Sequence, residues 1–469
     1  MNKQKKMKIQ LILFSETKMR EDVYQARKGI QERELRKHLE VLSEVFDVNY
    51  VEECEIRSKR QGLELAKKVN GGEGPVILYI PIFINPSIVA HTAKAIHKPM
   101  ALVGNHARDS LSQVGFLAAA GAMDQLGIIY KRISYDGGTK EAAAELSAWS
   151  NAANAAEALN GQTFGCIGGR SLGISTGTAD LALWENLFGV DIEHIDQLEV
   201  VNRGAQVPEE EIDTYVRFIE ERYGKVDYDE GKNFSQSHLR KMIASYLATQ
   251  NIIREYELDF IGIKCQTELS NHYCLQCLNV QMTNDPYDAC GEKCPIACSC
   301  EADADGALSM QILKLISGGK PTALQDIANI TPERFVLANC GAMASYFTAL
   351  SEDADENLKE VHLMPHGFGM AGGAATQFVC GAGLFTYMRL FRKNGGYQMA
   401  FFTGKTIKED REMIKQYSPY RPTAFVEHHV DLNQFMKVYS SNHIHCVEGD
   451  YTADLEEFCR LKGIPFYHL

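Results

Sequence analysis

The chain has 469 residues, too many for a single hydrophobic core, and its length predicts two or three domains. Apolar residues make up 45% and charged residues 23%, a composition typical of an ordinary globular protein rather than a disordered one. The net charge of −13 argues against a nucleic-acid partner, because phosphate binding needs a basic face.

The amino-terminal part has the pattern of an α/β unit. Residues 8–14 (KIQLILF) and 75–84 (PVILYIPIFI) are apolar runs of the kind found in strands buried on both faces. Helical patterns such as residues 110–126 lie between such runs, and an alanine-rich helix at residues 141–159 precedes an Asn-Gly turn signal. We therefore predict a parallel, doubly wound sheet in an amino-terminal domain of residues 1–160.

The sequence also bears on the location of the chain. No apolar run approaches the ~20 residues that cross a bilayer, and the first apolar run is short and lacks a small-residue cleavage site. We expect a soluble, cytoplasmic protein without a membrane partner. Its 13 cysteines should then be mostly reduced.

A second α/β domain is predicted at residues 161–318. It begins with an apolar strand that runs into Gly168 and Gly169, followed by Arg170. The glycines allow a close backbone approach, but the dinucleotide spacing G-x-G-x-x-G is absent, so the motif is weak evidence for a nucleotide site. An amphipathic helix at residues 235–256 leads into the stretch around which the chain is organised.

That stretch contains two strand-like runs that end in acidic residues. The run IGIKCQTEL contains Glu268 near its end. The run CPIACSCEA contains Glu301 near its end and is followed directly by Asp303. The carboxyl ends of neighbouring parallel strands meet at one edge of a sheet, where α/β proteins bind ligands. Glu301 and Asp303 could equally form an acidic cap on the helix that follows, and Glu268 alone could be a surface charge.

Residues 319–469 have a different texture. Short apolar runs are separated by Gly, Asn or Pro without long helices between them, which predicts a β-rich domain with an antiparallel sheet or barrel. Near its end the segment SSNHIHCVEGDY carries Asn442, His443 and His445. Carboxylates gathered at one point repel one another unless a cation or a shared proton relieves them. Oxygen ligands with one imidazole suit Mn²⁺ or Mg²⁺.

Seven cysteines between Cys265 and Cys300 suggest a competing site. Only Cys274 and Cys277 have the C-x-x-C spacing typical of zinc or iron–sulfur ligands, and the other spacings are irregular. A cysteine-cluster redox protein is therefore kept as an alternative, as is a cytoplasmic sugar-binding protein without catalytic activity.

Several segments together resemble the L-fucose/L-arabinose isomerase superfamily. They are GCIGGRSLGISTGTAD, FGVDIEHIDQLEV, IGIKCQTELS, CEADADGALSMQIL, NCGAM and SNHIHCVEGDY, in the order that the family has them. The resemblance implies two Rossmann-like domains, a β-rich carboxy-terminal domain, and a homo-oligomer, with a hexamer favoured, whose active sites lie between subunits. The cysteine-containing segment after Glu268 departs from the family pattern, so either Glu268 or Glu301 could supply the family's glutamate.

The resemblance also implies an activity. The family binds a divalent metal, usually Mn²⁺, with Mg²⁺ or Co²⁺ as alternatives, through a glutamate, an aspartate and a histidine, which fall on Glu268, Asp303 and His443. The two carboxylates would also move the proton in an aldose–ketose isomerisation through an enediol. Fucose, arabinose and related deoxy or sulfonated sugars are the candidate substrates. The predicted substrate-binding residues are Arg170, His366, Gln377 and Asn442.

Overall fold

The structure is a computed structural model that describes residues 7–15, 20–50, 56–135, 140–229, 233–417 and 419–469. It divides into two compact units. Unit 1 comprises Met1–Glu157 and Ala453–Gly463, and unit 2 comprises Ala158–Thr452 and Ile464–Leu469.

The strands are numbered in chain order. They are β1 (Met7–Leu13), β2 (Phe46–Tyr50), β3 (Val76–Ile80), β4 (Met100–Asn105), β5 (Lys131–Tyr135), β6 (Thr163–Ile167), β7 (Asp191–Ile195), β8 (Lys225–Val226), β9 (Phe260–Ile263), β10 (Tyr287–Asp288), β11 (Gly291–Glu292), β12 (Cys298–Cys300), β13 (Ala323–Ile330), β14 (Arg334–Ala338), β15 (His362–Pro365), β16 (Ala374–Gln377), β17 (Gly383–Lys393), β18 (Gly396–Ile407), β19 (Thr423–His428), β20 (His443–Glu448) and β21 (Phe466–His468).

The α-helices are numbered in the same way. They are α1 (Glu21–Val45), α2 (Lys59–Asn70), α3 (Pro86–Ala93), α4 (Ser112–Gln125), α5 (Lys140–Leu159), α6 (Leu181–Phe188), α7 (Gln197–Gly204), α8 (Glu209–Arg222), α9 (Gln236–Glu255), α10 (Glu268–His272), α11 (Cys277–Asn284), α12 (Ala304–Ile316), α13 (Ala354–Leu358), α14 (Leu432–Val438) and α15 (Thr452–Lys462).

Unit 1 is built on a parallel sheet of strand order β2-β1-β3-β4-β5. One face of the sheet packs against apolar residues of α2, α3 and α4, and the other face packs against residues of α1 and α5. Helices on both faces explain why β3 and β4 are buried along their whole length. The doubly wound arrangement predicted from the apolar runs is confirmed.

Unit 2 contains a second parallel sheet of order β12-β9-β6-β7. The carboxyl ends of β9 and β12 therefore lie side by side. The chain leaves β9 toward Glu268 and leaves β12 directly into Glu301.

The β-rich part of unit 2 is an antiparallel sheet that closes on itself. Its order is β17-β20-β13-β14-β19-β18, and β18 pairs again with β17, while β21 is added in parallel at β18. Closure leaves no free edge among the six antiparallel strands. The predicted class, α/β with parallel sheets followed by a β-rich barrel-like part, is confirmed.

The division into domains 1–160, 161–318 and 319–469 stays a prediction. Within the described residues, none of the helices combines the length and apolar character needed to cross a membrane.

Candidate active site

The centre of the candidate site is a pair of residues on neighbouring antiparallel strands. His443 begins β20 and lies directly opposite Asp326 of β13 in the strand register. Side chains that face each other across an antiparallel pair emerge on the same face. The Nε2 atom of His443 accordingly lies 3.5 Å from an Oδ1 atom of Asp326. His443 is buried, whereas the side chain of Asp326 keeps 28% of its exposure.

Asp303 holds the other side of the His443 ring. It is the N-cap of α12, where its carboxylate accepts a hydrogen bond of 2.9 Å from the amide of Gly306. The carboxylate also lies 2.6 Å from Nδ1 of His443. It receives two hydrogen bonds, of 2.5 and 3.1 Å, from the completely buried guanidinium of Arg389. Asp303 is therefore tied to three partners at once.

These contacts determine the charge state of the carboxylate. Burial by itself would raise the pKa of Asp303, but the charge of Arg389 and the hydrogen bonds from His443 and Arg389 outweigh it and hold the pKa well below its usual range. An ionised carboxylate can only accept a hydrogen bond. Nδ1 of His443 must therefore be the donor, which leaves the lone pair of a neutral ring on Nε2.

The imidazole is thus oriented with Nε2 toward the carboxylates of Glu301 and Asp326. Burial opposes the charged ring, but the hydrogen bond and charge of Asp303 prevail and raise the pKa of His443. Besides Asp326, Nε2 faces Oε2 of Glu301 at 3.6 Å. Neither distance is short enough for a hydrogen bond.

Glu301 reaches this position through an unusual turn. Both Glu301 and Ala302 have positive φ, at 61° and 50°, a conformation that side chains other than glycine seldom adopt. Strained backbone of this kind is concentrated at functional sites. Oε2 of Glu301 is buried without a hydrogen-bond partner. Burial first, then the charges of Asp326 and Asp303, raise the pKa of Glu301 despite the opposing effect of His443.

Glu268 makes different contacts. It begins the short helix α10, and its Oε1 atom accepts a hydrogen bond of 2.8 Å from Nζ of Lys264, four residues earlier. Its side chain is 52% exposed. The hydrogen bond from Lys264 lowers the pKa of Glu268. The structure thus brings together Glu301, Asp303 and His443 of the predicted residues, and it pairs Glu268 with a lysine instead.

The predicted substrate-binding residues lie in different surroundings. Asn442 points its amide at Asp326, with Nδ2 3.4 Å from Oδ1. The Nε2 atom of His366 lies 3.6 Å from Sγ of Cys340. Gln377 is buried and is engaged by Arg411 and by the carbonyl of Pro419, and Arg170 is exposed.

The buried cysteines do not form an ionised cluster. Burial raises the pKa values of Cys265, Cys277 and Cys300 above their usual range, and that of Cys340 to about 12. Neutral thiols are poor metal ligands. Among the residues that the structure describes, no group of three or more His, Cys, Asp or Glu side chains is already arranged to hold a metal ion.

Parts of this chain are similar to known proteins. Residues 337–469 match the model of the L-fucose isomerase C-terminal domain. The chain is 23% identical over 307 residues to a sulfoquinovose isomerase of Alkalicoccus urumqiensis, a match that covers 64% of this chain and 63% of the relative. It is 24% identical over 318 residues to a sulfoquinovose isomerase of Priestia aryabhattai, covering 66% and 64%. These matches support the resemblance of this chain to the L-fucose/L-arabinose isomerase superfamily.

The matches bear out the resemblance that the sequence segments indicated. The matches span less than two thirds of the length of these curated relatives. His443, which the resemblance singled out, lies within the segment that matches the fucose isomerase model.

Sequence reasoning missed two residues of the candidate site, Asp326 and Arg389. Asp326 lies in QDIANI, which has the form of an ordinary strand, and Arg389 lies in a long apolar strand. A basic residue in the middle of a strand buried on both sides was the available signal for Arg389, because a buried charge needs a partner.

Proposed function

We propose that this chain is a metal-dependent aldose–ketose isomerase that acts on a sulfonated or related sugar through an enediol. The match to the L-fucose isomerase C-terminal domain and the names of the relatives, which are sulfoquinovose isomerases, support the activity and the sugar class. The observation that carries the proposal is the convergence of two carboxylates on the free nitrogen of His443.

Three side chains fit a divalent ion by the chemistry of their donor atoms. Glu301 offers an unpartnered, buried carboxylate oxygen, Asp326 a partly exposed one, and His443 an imidazole nitrogen whose orientation Asp303 fixes. A histidine that ligates a metal commonly donates its other N–H to a carboxylate. These donors do not yet form a closed group, and an ion would relieve the repulsion between Glu301 and Asp326 by drawing them in.

This ligand set is a glutamate, an aspartate and a histidine, as the resemblance implies. Mn²⁺ is the proposed ion, with Mg²⁺ or Co²⁺ as alternatives, and neither Glu268 nor Asp303 is needed to complete the set. Asp303, which the sequence suggested as a ligand, acts in this proposal by orienting His443. When bound, the ion would polarise the adjacent oxygens of the sugar and acidify the carbon-bound proton.

The protein's own groups then move the proton between the two adjacent carbons. Glu301, whose Oε2 atom is buried without a hydrogen-bond partner, is the carboxylate proposed to take a proton from carbon and return it. Asp326, on the opposite side of Nε2, is the second carboxylate within reach of the same point. Asn442, hydrogen-bonded to Asp326, is placed to bind a sugar hydroxyl.

Isomerase assays with single variants test this assignment. Wild-type protein with Mn²⁺ should convert an aldose from a panel that includes sulfoquinovose, fucose and arabinose into its ketose, and should exchange the proton at C2 with solvent deuterium. Glu301→Gln and Asp326→Asn should each lower kcat by at least ~10³-fold, whereas Glu268→Gln, the matched control, should stay within a few fold. If Glu268→Gln loses activity and Glu301→Gln keeps it, then Glu268 is the family's glutamate, as the sequence resemblance implied. A protein that binds sugar without deuterium exchange would be a binding protein.

The assembly and location are part of the proposal. We expect a homo-oligomer, with a hexamer favoured, in the cytoplasm, as the superfamily resemblance implies. Sedimentation velocity of the purified chain measures the assembly directly, and a monomer at micromolar concentration would contradict it.

A further inference from the structure

Arg421 is a cation without an anionic partner among the residues that the structure describes. It lies two residues before β19, and its guanidinium is placed over the ring of Phe368, 5.8 Å from the centroid. With the described residues it forms no ion pair, and its Nε atom is buried without a hydrogen-bond partner. A buried donor left unpaired costs stability, so Arg421 is not explained by the fold alone.

The other arginines around the β-rich part of unit 2 are engaged. Two of them bind the buried carboxylates that begin α12, one pairs with a glutamate on the surface, and one binds carbonyl and amide oxygens. They are Arg389, Arg392, Arg334 and Arg411. Arg421 thus differs from its neighbours in having its charge available.

Arg421 lies close to His366, one of the predicted substrate-binding residues. The ring of Phe368, over which it lies, is 5.5 Å from the ring of His366, and His366 contacts Cys340. The positive charge of Arg421 also acts on the carboxyl group of Glu301, where it opposes the rise in pKa. Tyr420 completes this wall, with its ring 5.0 Å from that of His366. An aromatic and cationic wall therefore surrounds His366, a predicted substrate-binding residue.

We propose that Arg421 is a specificity-determining residue that binds an anionic substituent, a sulfonate, on the sugar substrate. The proposal rests on the proposed isomerase function. Its physical reason is local charge. The chain carries −13 overall and the site contains Glu301 and Asp326, so an anionic sugar would be repelled unless a cation met it. The planar guanidinium can donate two parallel hydrogen bonds to a tetrahedral oxyanion, and the ring of Phe368 lies against its face.

The test compares a charged sugar with a neutral one. Sulfoquinovose and its uncharged counterpart 6-deoxyglucose are assayed with wild type, Arg421→Met, Arg421→Lys and the control Arg334→Met, which removes an arginine that is already paired with Glu409. Arg421→Met should lower kcat/KM for sulfoquinovose by roughly 10- to 100-fold, mostly through KM, and leave 6-deoxyglucose within about 3-fold. Arg421→Lys should fall between, and Arg334→Met should resemble wild type. Glucose 6-phosphate, as a third arm, distinguishes a sulfonate from a phosphate preference.

Binding measurements separate this inference from the isomerase proposal. In isothermal titration, Arg421→Met should bind sulfoquinovose more weakly than wild type does, by the factor expected for KM. This loss of affinity should appear whether or not the protein turns the sugar over. Equal losses for the charged and neutral sugars, unchanged affinity in Arg421→Met, or no binding of sulfoquinovose by wild type would each overturn the role of Arg421. If wild type fails to turn over any sugar, but Arg421→Met selectively loses affinity for sulfoquinovose, then only the isomerase function is overturned.

Discussion

The pair Arg389–Asp303 offers a quantitative test of what holds the candidate site together. Arg389 is completely buried, and Asp303 retains 1% of its side-chain exposure. Replacing Arg389 by Met would keep most of the side-chain volume but leave the Asp303 carboxylate buried without its cation. Removing one partner of a buried pair typically costs about 3–5 kcal/mol, because the remaining charge is left uncompensated. We expect Arg389→Met to lower the stability of unit 2 by this amount.

The chain provides its own reporter for the measurement. It has two tryptophans, of which Trp149 lies in unit 1 and Trp184 in unit 2, both fully buried. In a Trp149→Phe background, the fluorescence of Trp184 follows the unfolding of unit 2 in urea. The loss corresponds to a fall of roughly 5–15 °C in the midpoint of thermal unfolding.

A double-mutant cycle separates the pair from the packing. Asp303→Asn also removes the charge, so Arg389→Met with Asp303→Asn should cost less than the sum of the two single variants, by about 2 kcal/mol or more. If Arg389→Met costs under ~1 kcal/mol, or if the two effects simply add, then Arg389 does not stabilise Asp303 through its charge.

Three further outcomes follow from individual contacts. Gly306→Ala would place a methyl group 2.6 Å from Oδ2 of Asp303, which its partners hold in place, and should cost about 1–3 kcal/mol in urea unfolding; wild-type stability would contradict that close contact. Tyr397→Phe removes the 2.6 Å hydrogen bond from the Tyr397 hydroxyl to the buried carboxyl of Asp305, and burial raises the pKa of that carboxyl to about 6. The free energy of unfolding should fall by about 1–3 kcal/mol at pH 8, and by less at pH 5, where the carboxyl becomes protonated. Burial lowers the pKa of His38 from 6.5 to about 3, so the unfolded state takes up a proton before the folded state does as the pH falls. The free energy of unfolding of unit 1 should therefore fall by about 2 kcal/mol between pH 6.5 and 5. An equal fall in His38→Gln would show that another group is responsible.

Local patterns in the sequence were sufficient to identify the layers of the fold. Continuous apolar runs predicted the buried strands of unit 1, and the short runs after residue 319 predicted the antiparallel, barrel-like part. Both follow from the period of side-chain burial along a strand, which is a local property. The acidic end of β12 and the N-H-x-H segment contain Glu301, Asp303 and His443, which the structure brings together, and His443 lies within the segment that matches the fucose isomerase model; the roles of these residues stay predictions.

Which carboxylates meet at His443 was decided only by tertiary structure. Asp326 faces His443 because β13 and β20 pair in one particular register, although 117 positions separate the two residues along the chain. Asp303 and Glu301 both follow β12. Arg389, a buried residue of β17, binds the Asp303 carboxylate, which orients the imidazole of His443. The physical reason is that a ligand set depends on distances between strands remote in sequence, and no periodicity within one strand encodes those distances.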